Sequence, residues 1–280
     1  MDKKPSILIF IVAYNAESTI ENVLMRIPAD LLDDFDAEVL VIDDQSSDDT
    51  VLRCAETIQS GKIRFKTNVL VNPENQGYGG NQKVGYQYAI EHDFDCVALL
   101  HGDGQYAPEY LRDLITPVTK GEAEAVFGSR MMTPFGALKG GMPAYKFVGN
   151  KILTLFQNIM LKTSLSEFHS GYRAYSVKAL KQIPFHLNTP DFHFDTEIII
   201  QLILWGFRIA ERPIPTYYGD EICYVNGLKY ALDVVITTTK ARMQRLGLFH
   251  ECKYEVIHPH NSNGYPEAKL SIKSPSGNRI

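Results

Sequence analysis

The sequence predicts a doubly wound α/β fold, in which helices flank a mostly parallel sheet. Short apolar, β-branched segments alternate with helical patterns through the first 130 residues, which is typical of parallel βαβ units. The apolar segments are nearly continuous, as expected for strands that are covered on both faces. The chain has 280 residues, 45% of them hydrophobic and 22% charged, which excludes collagen-like, low-complexity and largely disordered proteins.

The elements follow one another in a regular order through the first half of the chain. Five strands are predicted, at residues 7–14, 38–44, 65–72, 96–100 and 125–128. Four helices are predicted between and after them, at residues 18–27, 49–59, 81–91 and 108–118. The second half is less regular, with helices predicted at 145–161, 196–204 and 228–248 and strands at 171–176 and 208–214. We therefore expect a main domain over 1–225, a C-terminal helical segment over 226–255 and a loose tail over 256–280.

Charge and cysteine content limit the partners and the compartment. The chain has 28 Lys and Arg against 33 Asp and Glu, a net charge of −5, whereas a nucleic-acid-binding protein normally has a basic excess. The four cysteines have no metal-binding or disulfide-framework spacing, which favours a reducing compartment. No segment reaches the roughly 18 consecutive apolar residues of a spanning helix. We expect a cytoplasmic protein that binds no nucleic acid and is free or peripheral at the cytoplasmic face of a membrane.

Polar residues follow each of the five predicted strands. In an open parallel sheet, ligands bind outside the carboxyl ends of the strands. The polar side chains at these ends are Asn15 and Glu17, Asp43 and Asp44, Asn75 and Gln76, His101, Asp103 and Gln105, and Arg130. The adjacent carboxylates Asp43 and Asp44 repel one another and require a ligand or hydrogen-bond donors, so we predict that at least one of them binds a ligand. Asn75 and Gly77 are also common turn residues.

The phosphate-binding motifs of other α/β proteins are missing from the sequence. The turn after the first strand, Tyr14-Asn15-Ala16-Glu17, has no glycine, which excludes the dinucleotide-binding fingerprint, and no GxxxxGK[ST] motif occurs. A nucleotide diphosphate would therefore have to meet a metal ion. Asp103 and Gln105 offer a carboxylate and an amide oxygen, which are ligands that suit Mg²⁺ or Mn²⁺. Such an ion makes a diphosphate a better leaving group.

Six motifs in order resemble those of the family 2 glycosyltransferases, which have the GT-A fold. They are Ala13-Tyr14-Asn15-Ala16-Glu17, Val41-Ile42-Asp43-Asp44-Gln45-Ser46-Ser47-Asp48, Asn75-Gln76-Gly77, His101-Gly102-Asp103-Gly104-Gln105, Gly128-Ser129-Arg130 and Ser170-Gly171-Tyr172-Arg173. The resemblance covers residues 6–216 and is strongest to the dolichyl-phosphate mannose or glucose synthase-like branch. It implies an enzyme that transfers a hexose, with inversion, from a UDP- or GDP-sugar.

The resemblance also implies roles for individual residues. The nucleotide-sugar would contact Ala13, Tyr14, Glu17, Asp43, Asp44, Asn75, Gly77, His101 and Gly102. Asp44 resembles the residue that recognises the base, and Asp103 resembles the second acid of the family's DxD motif, with Gln105 beside it as a further metal ligand. His101 occupies the place of the first acid, where an imidazole can bind the metal or donate to a phosphate. The residues expected to act in catalysis are Asp103, Arg130, Arg173 and Asp195.

Two acceptor classes follow from these residues. A polyprenyl phosphate is already anionic and needs only polar and cationic neighbours, for which Ser129, Lys146, Asn150 and His169 are the candidates. A hydroxyl of a glycan or small molecule would need a general base, and Asp195 stands where hydroxyl-using relatives keep theirs. Asp195 is equally well interpreted as a helix N-cap. We favour the polyprenyl phosphate; the alternatives are the hydroxyl acceptor and a non-catalytic nucleotide-sugar-binding protein in which His101 marks a decayed site.

The predicted helix at 228–248 allows two interpretations. It either packs on the domain or lies at a membrane surface, with Lys229, Lys240, Arg242 and Arg245 near anionic lipid. A second copy of the chain is left open as a further partner.

Overall fold

One seven-stranded sheet organises the part of the chain that the computed structural model describes, residues 3–217 and 226–256. Its strands are β1 (Ser6–Ala13), β2 (Asp36–Asp43), β3 (Lys66–Val71), β4 (Cys96–His101), β5 (Ala125–Ser129), β6 (Arg173–Ser176) and β7 (Ile209–Pro213). The strand order is β3-β2-β1-β4-β6-β5-β7. All neighbouring strands pair in parallel except β6, which is antiparallel to β4 and β5. The predicted fold class, a mostly parallel sheet of the doubly wound type, is confirmed.

Helices cover both faces of this sheet. They are α1 (Ile20–Met25), α2 (Leu31–Asp34), α3 (Thr50–Gln59), α4 (Gly77–Glu91), α5 (Leu111–Thr119), α6 (Gly136–Lys139), α7 (Ala144–Leu161), α8 (Val177–Leu180), α9 (Phe194–Leu204) and α10 (Gly227–Arg245). In β1, Ile7, Ile9 and Ile11 face one apolar core, while Leu8 and Phe10 face the other. Burial on both faces explains why the strands are nearly continuous apolar runs in the sequence. Within the described residues, no helix is long and apolar enough to cross a membrane.

The antiparallel strand β6 brings a second kind of segment to the carboxyl edge. Arg173 at its start pairs with Leu99 of β4 and with Phe127 of β5, close to the carboxyl ends of those strands. The residues that precede β6 in the chain therefore lie at the same edge as the residues that follow β4 and β5.

Helix α4 begins one turn earlier than predicted, at Gly77 instead of Asn81. Glycine has low helix propensity, but tertiary contacts outweigh it here. The backbone N–H of Gly79 donates to the carbonyl of Pro190 at 2.8 Å. Gly77 has φ +73°, and a Cβ there would lie 2.8 Å from the Pro190 oxygen. Only glycine allows this close approach between α4 and the loop before α9.

Further details differ from the sequence predictions. The four-residue helices α2, α6 and α8 were not predicted, and α9 begins at Phe194 instead of Thr196. The N-cap of α9 is His193, so the interpretation of Asp195 as an N-cap is wrong. The predicted tail lies almost entirely outside the described residues, as does the segment 218–225, and the domain boundaries stay predictions.

Candidate active site

Hydrogen bonds join the loop after β1 to the loop after β2. The N–H of Asp44 donates to the carbonyl of Ala13 at 2.9 Å. Asn15, which has φ +49°, receives the N–H of Ser47 on its side-chain oxygen at 2.9 Å, and its own N–H donates to Ser46 Oγ at 2.8 Å. The N–H of Ser46 in turn donates to the Asp43 carboxylate at 2.9 Å. The two loops therefore form one preorganised edge.

Asp44 is a buried carboxylate of this edge, with 4% of its surface exposed. Its Oδ1 accepts hydrogen bonds from Asn72 Nδ2 and from the N–H of Gln76, both at 2.8 Å. Burial raises the pKa of Asp44, and these hydrogen bonds oppose that effect. Asn75 holds the same loop, since its amide donates to the Asp44 carbonyl at 3.0 Å and its side-chain oxygen accepts the N–H of Gly77 at 3.0 Å. Asn75 and Gly77 thus do form a turn, and this turn encloses Asp44.

The other predicted donor-binding residues lie along the same edge. Ala13 is buried, Tyr14 is 42% exposed and Glu17 is half-buried. The N–H of Glu17 donates to Asp48 at 3.1 Å, which draws the loop after β1 towards the start of α3. The exposed ring of Tyr14 is accessible to a ligand.

The segment after β4 places one exposed and one enclosed group side by side. Asp103 is exposed, and its Oδ1 accepts the N–H of Gln105 at 2.9 Å. Gly102 is buried, with its N–H donating to the Val12 carbonyl at 2.9 Å and its own carbonyl accepting the Thr19 hydroxyl at 2.7 Å. These bonds fix the backbone that carries the Asp103 carboxylate.

His101 takes part in a chain of hydrogen bonds that leads into the protein. The Tyr78 hydroxyl donates to Asp195 Oδ2 at 3.0 Å and lies 3.2 Å from His101 Nε2. With the tyrosine proton directed to the carboxylate, the bond between Tyr78 and His101 uses a hydrogen on Nε2 of His101. In the neutral form of the ring, Nδ1 then keeps its lone pair.

Charges of both signs surround the His101 imidazole. Burial lowers its pKa, Asp103 and Asp195 act to raise it, and Arg173 and Arg130 act to lower it. The donor-side carboxylate and the arginines of the acceptor-side segments are therefore close enough to influence one ring. A Cβ at Gly171 would lie 2.6 Å from His101 Nε2, so the backbone before β6 closes directly onto the imidazole.

Arg173 and Asp195 form an ion pair inside the protein. Their side chains are 1% and 8% exposed, with Arg173 Nη2 3.5 Å from Asp195 Oδ2. Burial disfavours the charge of Arg173, but Asp195, together with Tyr175 and Tyr78, outweighs this effect and raises its pKa. The guanidinium also donates to the carbonyls of Ser170 at 2.7 Å and Phe168 at 2.9 Å. This geometry suits a positioning role for Arg173 better than direct contact with a phosphate.

Arg130 and Glu167 form a second buried pair, with side-chain exposures of 7% and 0%. Glu167 accepts the backbone N–H of Arg130 at 2.7 Å, the guanidinium at two nitrogens, and Asn150 Nδ2 at 2.9 Å. Burial opposes the Glu167 charge, but Arg130 lowers its pKa and keeps it ionised. Arg130 also donates to the His169 carbonyl at 3.0 Å. Asn150 and His169, both predicted to frame an acceptor phosphate, thus share one cluster with Arg130.

His169 contributes a buried polar atom with no partner in the described part of the chain. Its Nδ1 lies 2.9 Å from the Tyr230 hydroxyl of α10, while its Nε2 is buried and makes no hydrogen bond to residues 3–217 or 226–256. Burial lowers the pKa of His169 to about 4, so the ring is neutral near pH 7. An unsatisfied buried nitrogen is unfavourable in the free protein and is available to a ligand.

The remaining predicted acceptor residues lie at the edge of this cluster. Ser129 is buried, with its hydroxyl 2.6 Å from that of Ser166, which is bonded in turn to Glu211 at 2.6 Å. Lys146 lies in the first turn of α7 and is half-buried.

The side chains at and after the end of β4 have the chemistry to hold a divalent cation. Asp103 supplies a carboxylate, Gln105 an amide oxygen and His101 a ring nitrogen, which are acceptable ligands for Mg²⁺ or Mn²⁺. Among the described residues, the groups of three His, Cys, Asp or Glu that lie close enough to hold a metal by themselves occur elsewhere. In the group formed by Asp191, His193 and Asp233, Lys229 already pairs with both carboxylates.

Several residues of the site were not predicted from the sequence. Asn72 and Tyr78 hold Asp44 and His101, and Glu167 and Glu211 anchor the segment before β6. The sequence offered one indication of Glu167, because Ser166 and Glu167 directly precede the segment that contains the predicted site residues His169 and Arg173.

Comparison with known proteins identifies the family. The family model described as Glycosyl transferase family 2 matches residues 8–184, and the chain belongs to this family. The chain is 29% identical over 223 residues to the UDP-N-acetylglucosamine–dolichyl-phosphate N-acetylglucosaminyltransferase of Methanococcus voltae, covering 76% of this chain and 86% of that protein. It is 29% identical over 184 residues to the undecaprenyl-phosphate mannosyltransferase of Micrococcus luteus, covering 64% and 71%.

Solved structures support the fold. The glucosyl-3-phosphoglycerate synthase of Mycobacterium tuberculosis in complex with Mn²⁺ and UDP-glucose superimposes with a TM-score of 0.61 at 18% identity, covering 89% of this chain and 81% of that one. The same synthase with Mg²⁺ and UDP gives a TM-score of 0.59 at 20% identity, with the same coverage. The predicted GT-A fold and the predicted glycosyltransferase family are both confirmed.

Proposed function

We propose that this glycosyltransferase moves a hexose from a UDP- or GDP-sugar to a polyprenyl phosphate, with inversion. The single observation that carries the proposal is the arrangement around His101. His101 lies two residues before Asp103, the backbone of Gly171 closes onto its ring, and the charge of Arg130, which belongs to the buried cluster with Glu167 and His169, acts on it. The names of the relatives from Methanococcus voltae and Micrococcus luteus, both of which specify polyprenyl phosphates, support the acceptor class.

The donor would bind along the edge formed by the loops after β1 and β2. Asp44 is oriented by Asn72 and Gln76, so its carboxylate meets the N–H groups of a nucleobase without reorganising. Tyr14 and Glu17 line the accessible part of the same edge. Asp103, Gln105 and His101 would hold Mg²⁺ or Mn²⁺, which neutralises the charge that develops on the departing diphosphate.

In the reaction, an oxygen of the acceptor phosphate attacks the anomeric carbon as the bond from that carbon to the diphosphate oxygen breaks. The nucleoside diphosphate leaves from the opposite face, which inverts the configuration. An anionic nucleophile needs no general base. The free Nε2 of His169 and the guanidinium of Arg130 are the groups of the acceptor cluster that orient the phosphate.

The surroundings of Asp195 favour this acceptor over a hydroxyl. Its carboxylate is 8% exposed, pairs with Arg173, and accepts hydrogen bonds from Tyr78 at 3.0 Å and Gln82 at 3.2 Å. Both oxygens of Asp195 are therefore already engaged, Oδ1 by Gln82 and Oδ2 by Tyr78 and Arg173, which leaves neither of them directed at an acceptor hydroxyl. Asp195 therefore serves better as a positioning residue for the Tyr78–His101 pair than as the base that a hydroxyl acceptor requires.

A transfer assay with matched acceptors tests the proposal. The wild-type enzyme is given UDP- and GDP-hexoses with Mn²⁺, and either a polyprenyl phosphate or the corresponding polyprenol. We expect transfer to the phosphate, loss of transfer after chelation of the metal, and none to the alcohol. Transfer to the polyprenol but not to its phosphate would show that a hydroxyl is the acceptor, and donor binding without transfer to either would favour a non-catalytic binder.

A further inference from the structure

Helix α7 has a polar buried side and an apolar exposed side. Its buried residues include Asn150, Thr154 and Gln157. The opposite side carries five large apolar residues, each between 53% and 74% exposed, which we call the apolar face of α7: Tyr145, Val148, Ile152, Leu155 and Ile159. Their spacing of three and four places them in one continuous row along the helix. A contiguous exposed row of this kind marks an interaction surface.

The neighbouring helix α10 has a similar character. It packs on α7, and Arg245 Nη1 near its end donates to the Leu161 carbonyl at the end of α7 at 3.2 Å. Leu228, Leu232 and Ile236, four residues apart, are 87%, 59% and 43% exposed. Two helices in mutual contact thus each leave an apolar row without a partner among the described residues.

The charges around the apolar face of α7 are positive, and α10 carries Lys229, Lys240, Arg242 and Arg245 against one acid, Asp233. Residues 131–166 contain four lysines and no aspartate or glutamate, in a chain whose net charge is −5. Lys139, Lys151 and Lys162 of this segment are exposed. Two copies of the chain meeting through this face would bring like charges together, whereas the anionic headgroups of a bilayer would neutralise them.

We propose that the apolar face of α7, together with the exposed row of α10, lies on an anionic lipid bilayer with both helices in the plane of the headgroups. An apolar row bordered by lysines is the arrangement by which amphipathic helices bind such surfaces. The reason for this docking rests on the proposed function: Asn150 on the inner side of α7 bonds to Glu167, and Tyr230 of α10 bonds to His169. The acceptor cluster would then lie directly beneath the helices that meet the lipid.

Vesicle sedimentation tests the docking separately from the chemistry. The full chain is mixed with vesicles of phosphatidylcholine, with and without phosphatidylglycerol, that contain no polyprenyl phosphate. We expect binding to the anionic vesicles that weakens with salt, and a loss of about tenfold or more in the combined Ile152→Ser and Leu155→Ser variant. The matched control is Leu52→Ser on α3, which removes a side chain of similar exposure (52%) and should bind as the wild type does.

The same measurements identify the results that overturn the docking. The docking is wrong if the wild-type protein stays in solution with anionic vesicles. It is also wrong if the double variant binds these vesicles as tightly as the wild type, or if Leu52→Ser weakens binding as much as the double substitution does. Light scattering supplies another such result: a wild-type dimer that the double variant converts to a monomer would assign this face to a second copy of the chain. Because the vesicles hold no acceptor, failure to bind them leaves the transfer reaction untouched, and failure of transfer leaves the binding result intact.

Discussion

Two regions of the molecule hold their charged groups in opposite ways. One is the proposed donor edge, formed by the loops after β1 and β2, and the other is the proposed acceptor cluster, formed by Arg130, Asn150, Glu167 and His169. At the donor edge, Asp43 and Asp44 receive hydrogen bonds from neutral donors, among them Ser46 and Asn72. In the acceptor cluster, Glu167 is neutralised by Arg130, and close by Asp195 is neutralised by Arg173. Neutral donors orient a carboxylate and leave its charge available, whereas a buried ion pair cancels it.

This difference predicts where a mutation acts. A carboxylate that keeps its charge available can bind a ligand, so its removal lowers the affinity for that ligand. A carboxylate that compensates a buried arginine belongs to the folded structure, so its loss lowers the free energy of unfolding. Three variants and one pH dependence test this difference between the two regions.

Glu167→Gln should have the largest effect on stability. It leaves Arg130 buried without its counter-charge, and we expect the free energy of unfolding to fall by about 3–5 kcal/mol in urea denaturation. The control is Glu124→Gln, which breaks the pair with Arg208, a partner that is 60% exposed. That variant should lose far less, since water screens the exposed pair. Equal losses in the two variants would remove the distinction between the regions.

Asp103→Ala should act on turnover and leave the fold intact. The side chain is exposed, and its removal takes away the carboxylate that we propose holds the metal and the diphosphate, so we expect kcat to fall by about 10²–10³-fold. The unfolding midpoint should stay that of the wild type. Asp113→Ala, an exposed carboxylate on α5, is the control. Normal turnover and unchanged metal dependence in Asp103→Ala would disprove its place in the site.

The pH dependence of stability should reveal the buried His169. Its pKa falls from 6.5 to about 4 on folding, so between these values the unfolded chain binds the proton and the folded protein does not. Stability should therefore decrease as the pH is lowered through this range, by about 3 kcal/mol at most from this group. Urea denaturation of wild type and His169→Gln across the range gives the contribution as a difference. Parallel pH profiles would mean that His169 is protonated equally in both states.

Asp44→Ala should have the smallest effect in energy and the most local one. Loss of the hydrogen bonds that we propose it makes to the nucleobase should weaken binding of UDP or GDP by about 1–3 kcal/mol in calorimetric titration with Mn²⁺. Asp49→Ala, an exposed carboxylate at the start of α3, is the matched control and should bind normally. An Asp44→Ala variant with unchanged nucleotide affinity would place Asp44 outside the pocket.

The sequence predicted the donor edge better than the acceptor cluster for a physical reason. Asp44, His101 and Asp103 directly follow strands, and strand periodicity alone brings parallel carboxyl ends together. The partners of buried groups lie far away in the chain: Glu167 is 37 residues from Arg130, and Tyr78 is 117 residues from Asp195. Local patterns carry no information on such pairs.

The predicted start of α4 was wrong for a related reason. The first turn of α4 consists largely of glycine, which intrinsic propensity assigns to a loop, but contacts with the Pro190 segment fix it as helix. The apolar residues of α7 have helical spacing, and a helix was predicted there. Their spacing alone did not show which side of the helix would pack on the rest of the protein.

Strand β6 runs antiparallel to its neighbours, and its direction places the proposed donor and acceptor residues in different kinds of connection. Under the proposed function, the donor contacts reside in connections that leave parallel strands, while the acceptor cluster resides in a connection that arrives at an antiparallel one. Insertions or replacements early in this connection, in residues 131–165, would then change the acceptor side and leave the loops after β1 and β2 in place. The end of the connection is more constrained, because Gly171 closes onto His101.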